Sequence, residues 1–152
     1  IIFPGLAKSW YEGEYWPKRI EHVQDGATLQ FVEDSLYLVA LGPRHAGFDV
    51  LSGMNITPGG ARALAEAAEN CWQAILARDI ERFGHFFRAS FEAQVAMFPQ
   101  MIHDEITQLI EEYRDTALGW KLSGAGGGGY LILVSDKPVE NAVRVVVRRT
   151  SG

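Results

Sequence analysis

The stretch most able to do chemistry is KLSGAGGGGYLILV, residues 121–134, in which five of the six residues from Gly124 to Gly129 are glycine. Glycine inside an element costs about 0.5–1 kcal/mol relative to alanine, so a cluster of this kind needs a reason. Either another group approaches the main chain closely, or the main chain takes angles closed to other residues. Bare N–H groups can also cradle an anion. Gly124, Gly126 and Gly129 satisfy G-x-G-x-x-G. A dinucleotide fingerprint, however, needs a helix to open after the loop, so that the pyrophosphate meets its N-terminus. Here YLILV follows, which reads as a strand. A Walker A loop is excluded as well, because no Gly-Lys-Ser/Thr closes the motif. Composition leaves two readings open: a connection bare enough for other elements to lie on it, or a loop that meets a phosphate-binding segment or an anion.

Other polar residues sit near it in type or in sequence. Lys121, just before the loop, is a candidate phosphate contact. GPRHAGFD (42–49) carries Arg44, His45 and Asp49. Arg44 is either a solvated loop arginine or a contact to a substrate hydroxyl or phosphate. Asp49 either orients substrate or caps the following turn. His45 has no partner in the pattern and reads as ordinary surface. His22, His85 and His103 lack ligand spacing, so no metal site is expected.

The elements that must position these residues come next. Thr57-Pro58 pairs an N-cap with a first-turn proline. Leu64, Ala68, Trp72 and Ile75 then recur at helical spacing. Asp79 caps a second helix with Phe83, Phe87, Phe91 and Val95, which Pro99 ends. A third, near 103–117, carries Ile106, Leu109, Ile110 and Tyr113, with Asp104 and Glu105 at its positive end. ATLQFVE (27–33) and LYLVALG (36–42), around Asp34-Ser35, are expected to form a β-hairpin. GWKLSG (119–124) starts a strand, YLILVSD (130–136) is another, and AVRVVVRR (142–149) is the last, with the last two antiparallel. Residues 1–26, with Trp10, Tyr11, Tyr15 and Trp16 among charges, keep no period and read as an irregular interdomain connection or the remnant of an N-terminal domain; 27–152 form the domain. The order β-β-α-α-α-β-β predicts an α+β class: a mainly antiparallel four-stranded sheet with helices packed on one face.

Size and charge bound the function. The chain has 152 residues, 47% of them hydrophobic, and a net charge of −5, which suits one globular domain and argues against nucleic acid as partner. No apolar run reaches the roughly 18 residues of a membrane span, and no signal peptide is visible. The single Cys71 precludes an internal disulfide and points to a reducing cytoplasm. The start at Ile1, without Met, is expected of a fragment of a longer protein or of a processed chain.

The glycine segment G-W-K-L-S-G-A-G-G-G-G-Y-L-I-L-V resembles the third, C-terminal motif of the GHMP small-molecule kinases. It is most similar to the sugar-kinase branch that includes galactokinase, heptose-phosphate kinase and fucokinase. G-P-R-H-A-G-F-D-V-L (42–51) and Y-E-G-E-Y-W-P (11–17) support the likeness. The resemblance implies a ferredoxin-like C-terminal domain of an ATP-dependent kinase that phosphorylates a hydroxyl of a sugar or sugar phosphate. Residues Gly124, Ala125, Gly126, Gly127, Gly128 and Gly129 would close the nucleotide cleft, with a nucleotide-side segment packed almost on their main chain. The family's Pro-x-x-x-Gly-Leu-Gly-Ser-Ser loop and catalytic Asp are not found; P-G-L-A-K-S (4–9) lacks the spacing. The resemblance therefore implies that ATP and Mg²⁺ are held mainly by an N-terminal domain of the same protein, that this chain alone is inactive and that it carries no catalytic residue. Without that partner its aromatic residues could drive a homodimer. The other reading is a non-catalytic α+β ligand-binding or dimerisation module.

Overall fold

The computed structural model describes residues 4–43 and 46–150. The sequence-predicted helices form where their caps place them. Thr57 Oγ1 accepts from Gly60 N–H at 3.0 Å and opens α2 (Pro58–Ala77). Asp79 Oδ1 accepts from Arg82 N–H at 3.1 Å and opens α3 (Ile80–Met97). These bonds satisfy N–H groups that the first turn leaves without partners. A short 3₁₀ turn at Pro99–Met101 follows, then α4 (Asp104–Tyr113).

Several expectations change. Residues 1–26 are not irregular throughout: strands Leu6–Trp10 and Arg19–Val23 pair antiparallel as a hairpin. It docks on α2 through the Lys8–Glu69 ion pair and a bond from Trp72 Nε1 to Glu21 at 3.1 Å. Residues 27–33 are not a strand. Asp25 Oδ1 caps the N–H of Thr28 at 3.0 Å, and a helix runs over Gly26–Ser35 with Leu29, Val32 and Glu33 buried. Only the second half of the expected hairpin, Leu36–Ala40, is a strand. In chain order the elements are β1 and β2 (the N-terminal hairpin), α1 (Gly26–Ser35), β3 (Leu36–Ala40), α2, α3, α4, β4 (Gly119–Leu122), β5 (Tyr130–Val134) and β6 (Val143–Arg144).

The α+β class holds, with a four-stranded sheet in the order β4-β5-β3-β6, antiparallel throughout. Counted from β3, the spatial order is 4-1-3-2, that of a ferredoxin-like sheet. The last two strands are therefore not antiparallel to each other. β3 inserts between β5 and β6 and opposes both, so those two run parallel.

Side chains alternate across the sheet. Tyr37, Leu131, Leu133, Trp120 and Leu122 pack with Ile106 and Ile110 of α4 and Phe91 of α3. On the other side, Leu36 and Val134 meet Ala74 of α2 and Phe83 of α3. Because α3 lies along edge strand β4, it contributes to both clusters. That approach is backbone on backbone: a methyl on Gly119 would lie 2.1 Å from the carbonyl oxygen of Gly84.

The expected last strand pairs only over Val143–Arg144. Beyond it the chain leaves the sheet and runs along α1. Glu33 Oε1 accepts from Val147 N–H at 2.7 Å, and both Glu33 oxygens accept from Arg149, at 2.6 and 3.0 Å. Arg148 O accepts from Gly5 N–H at 2.7 Å, so the tail is held between α1 and the N-terminal hairpin. The guanidinium of Arg149, then the Val147 amide, hold the Glu33 carboxyl at about 2, below its ordinary 4.5. A carboxylate with a depressed pKa stabilises the fold above its unfolded value and loses that contribution as the pH falls through the folded one. We predict that unfolding free energy falls between about pH 4.5 and pH 2, and that Glu33→Gln flattens this dependence and weakens the fold at pH 7. Urea titrations at stepped pH would read both; parallel profiles for the two proteins would contradict the assignment.

Candidate functional site

The glycine run joins β4 to β5 at one end of the sheet. Ser123 N–H donates to Tyr130 O at 2.9 Å and Tyr130 N–H to Ser123 Oγ at 3.0 Å, which closes the loop over 124–129. Leu41 N–H donates to Gly129 O at 2.9 Å and ties the exit of β3 to the same loop. Both reasons anticipated for the glycines apply. Gly124, Gly126, Gly127 and Gly129 take φ of +66°, +78°, +73° and +89°, a region that side chains rarely enter. A Cβ on Gly127 would also lie 2.8 Å from three carbons of the Phe48 ring, and one on Gly126 would lie 3.3 Å from the carbonyl oxygen of Met101.

The group that approaches the main chain at Gly127 thus comes from this chain, from the 42–51 segment, where a nucleotide-side segment was expected. Phe48 had carried no role in the sequence pattern. Gly124 is different: it is exposed, and no heavy atom comes within 4 Å of its Cβ position. Ala125 and Gly128 are half-buried.

Between the loop, the end of β3 and α4 lies a cleft of about 670 Å³, within the usual range for small-molecule sites. Gly127 and Gly128 line it together with Ala40, Leu41, Gly42, Pro43 and Ala46. Helix α4 lines it with Glu105, Ile106, Gln108, Leu109 and Glu112, and His103 just before the helix joins them. Glu105, Gln108 and Glu112 follow i, i+3, i+7 spacing, a second stripe beside the buried Ile106 and Ile110. That polar stripe was legible in the sequence, but Glu105 had been read only as a partner for the helix end.

The other candidates are dispersed. Lys121 is not at the loop. Strand alternation turns it away from Trp120 and Leu122, toward α3, where Nζ donates to Ser90 Oγ at 3.1 Å. Burial lowers its pKa, and it serves the packing of α3 on β4. Asp49 Oδ1 accepts from Leu51 N–H at 3.0 Å, the turn-capping alternative, and does not line the cleft. Arg44 and His45 lie outside the described residues. Among the described residues no group of three His, Cys, Asp or Glu could hold a metal ion. Among the described residues no helix is long and apolar enough to cross a membrane.

The profile of the family described as GHMP kinases C terminal matches residues 63–150, which takes in most of α2 and everything from there to the tail. The chain belongs to the GHMP kinase C-terminal family. The α4 wall and the glycine loop lie inside the match; Phe48 lies before it. An L-fucokinase/L-fucose-1-P guanylyltransferase of Bacteroides fragilis is 34% identical over 73 residues, covering 48% of this chain and 8% of that protein. A crystal structure described as that of a sugar kinase from Campylobacter jejuni aligns with 78% of this chain and 31% of its own, at 18% identity and a TM-score of 0.43. The chain spans well under half the length of either relative.

The Phe48–Gly127 contact is open to a double-mutant cycle. Gly127→Ala should destabilise the chain by roughly 1–3 kcal/mol, the range for overpacking, and Phe48→Ala in the same chain should relieve part of that cost. Strictly additive denaturant midpoints would show that the ring does not bear on the loop.

Proposed function

We propose that this chain is the C-terminal domain of an ATP-dependent sugar kinase, and that its glycine loop closes the cleft between nucleotide and substrate. The observation that carries the reading is that Gly127 and Gly128 line the same cleft as α4. Their N–H groups donate to no described residue. Donors of this kind can meet an incoming phosphate edge, and phosphoryl transfer depends on positioning and charge stabilisation more than on covalent chemistry.

The described residues fit only part of the nucleotide. Backbone amides are present, but no lysine or arginine is among the described cleft residues. We therefore assign most of the hold on ATP and Mg²⁺ to an N-terminal domain of the same protein, assign no catalytic residue here and expect this chain alone to be inactive. Substrate would be a sugar or a sugar phosphate. In this reading residues 27–152 are the kinase C-terminal domain and the β1–β2 hairpin belongs to its connection. Tyr11, Tyr15 and Trp16 stay exposed at the hairpin tip, where the rest of the kinase, or a second copy of the isolated chain, would cover them. A reducing cytoplasm suits Cys71, whose thiol is pushed up to about 11 by burial and stays unreactive.

One observation favours the second reading, a non-catalytic ligand-binding module. Phe48 already supplies a neighbour for Gly127 from within the chain, so that glycine does not need a nucleotide-side partner to account for it.

ADP release by the full-length protein, with Mg-ATP and a panel of free and phosphorylated sugars, separates the two. We predict turnover by the full-length protein, none by this chain, and a loss of most activity in Gly127→Val with the fold retained by circular dichroism. No turnover on any sugar, or normal turnover in Gly127→Val, would reject the kinase role of the loop.

A further inference from the structure

We infer that the α4 wall of the cleft is the substrate-selecting surface, and that Gln108 and Glu112 hold neighbouring hydroxyls of an uncharged sugar. This inference rests on the reading of the cleft as the substrate side of a kinase. It goes further by naming the residues that select and the charge of what they take.

The geometry comes from one helix. Ile106 and Ile110 are buried and fix the rotation of α4 against the sheet. That rotation brings the Gln108 and Glu112 positions, one turn apart, onto the cleft side. Neither side chain bonds to a described residue, and both are exposed. The same cleft is lined by bare glycine backbone at Gly127 and Gly128 and is apolar at Ala40, Leu41, Pro43 and Leu109. Two polar side chains beside apolar lining match a sugar ring, which carries hydroxyls on its edge and C–H groups on its face.

The donor and acceptor types narrow the ligand. A carboxylate only accepts, whereas an amide both donates and accepts. Hydroxyls on adjacent carbons can satisfy both. A phosphate cannot: it offers acceptors to an acceptor, and its charge repels Glu112. The positive end of α4 could favour an anion, but Asp104 and Glu105 in its first turn offset that partial charge. The described cleft residues thus favour a neutral polyol over a sugar phosphate on the α4 side.

The test uses the full-length protein, with L-fucose, D-galactose and D-mannose as probes beside the 6-phosphates of the last two. Binding is measured by calorimetry without ATP, and turnover with Mg-ATP. At least one free sugar should bind and be used ten-fold or more better than any phosphorylated probe. Gln108→Ala and Glu112→Gln should each raise its KM and Kd about ten-fold, with the KM for ATP within two-fold of wild type, and Glu112→Lys should narrow the preference against phosphate. Unchanged sugar Kd and KM in both variants, or better binding of a 6-phosphate by the wild type, would overturn the inference while leaving kinase activity standing. No turnover on any probe would reject the kinase reading instead; free-sugar binding lost in the two variants would then still support the α4 assignment, and an absence of sugar binding would overturn it.

Discussion

The ring of Phe48 occupies the space that a side chain at residue 127 would need, and the arrangement of the site follows from that exclusion. The ring sets the chain at Phe48 against the main chain of the glycine loop. The loop in turn is pinned at its base by the Ser123–Tyr130 bonds and at its flank by Leu41. A stretch that composition alone would make the most flexible in the chain is thereby held from three sides. Positive φ at four glycines shapes it so that Gly127 and Gly128 reach the cleft. Any side chain at 127 would meet both constraints, steric overlap and a strained backbone.

The sheet supplies the frame for that contact. β3 lies between β5 and β6, so the segment leaving β3 emerges beside the start of β5, where the loop ends. Phe48 can reach Gly127 because β3 and β5 are neighbours. On the far side of the molecule a different device holds the chain ends. Glu33 accepts from the Val147 amide and from both terminal nitrogens of Arg149, and Gly5 bonds Arg148. A buried carboxylate is tolerated there because its oxygens are satisfied by charge-assisted bonds.

Helices α2, α3 and α4 were legible because each combines an apolar stripe with a local start signal: Thr57-Pro58, Asp79, and the acidic pair Asp104 and Glu105. Helix α1 was misread because ATLQFVE alternates apolar and polar residues well enough to pass for a strand. The deciding signal, Asp25 three residues before Thr28, is a single cap. The β1–β2 hairpin was hidden because Lys8 sits among its inward positions, where it pairs with Glu69 instead of breaking the pattern. The valines of 143–147 read as one strand although the chain leaves the sheet after Arg144, a choice made by Glu33 far away in sequence. At the site, the glycine loop could be located from sequence, but its partner could not. Phe48 is an ordinary loop aromatic until the fold brings it to Gly127. Lys121 looked available because its strand leads into the loop; strand alternation sends its side chain to Ser90.

The central claim of the proposed function is that the glycine loop, with Phe48 packed at Gly127, faces bound nucleotide in the full-length protein. Hydrogen exchange on the full-length protein, with and without a non-hydrolysable ATP analogue and Mg²⁺, tests it most directly. The account predicts that amides of 124–130 gain protection, while those in the middle of α2 stay unchanged. Unaltered exchange in the glycine loop on nucleotide saturation would contradict it.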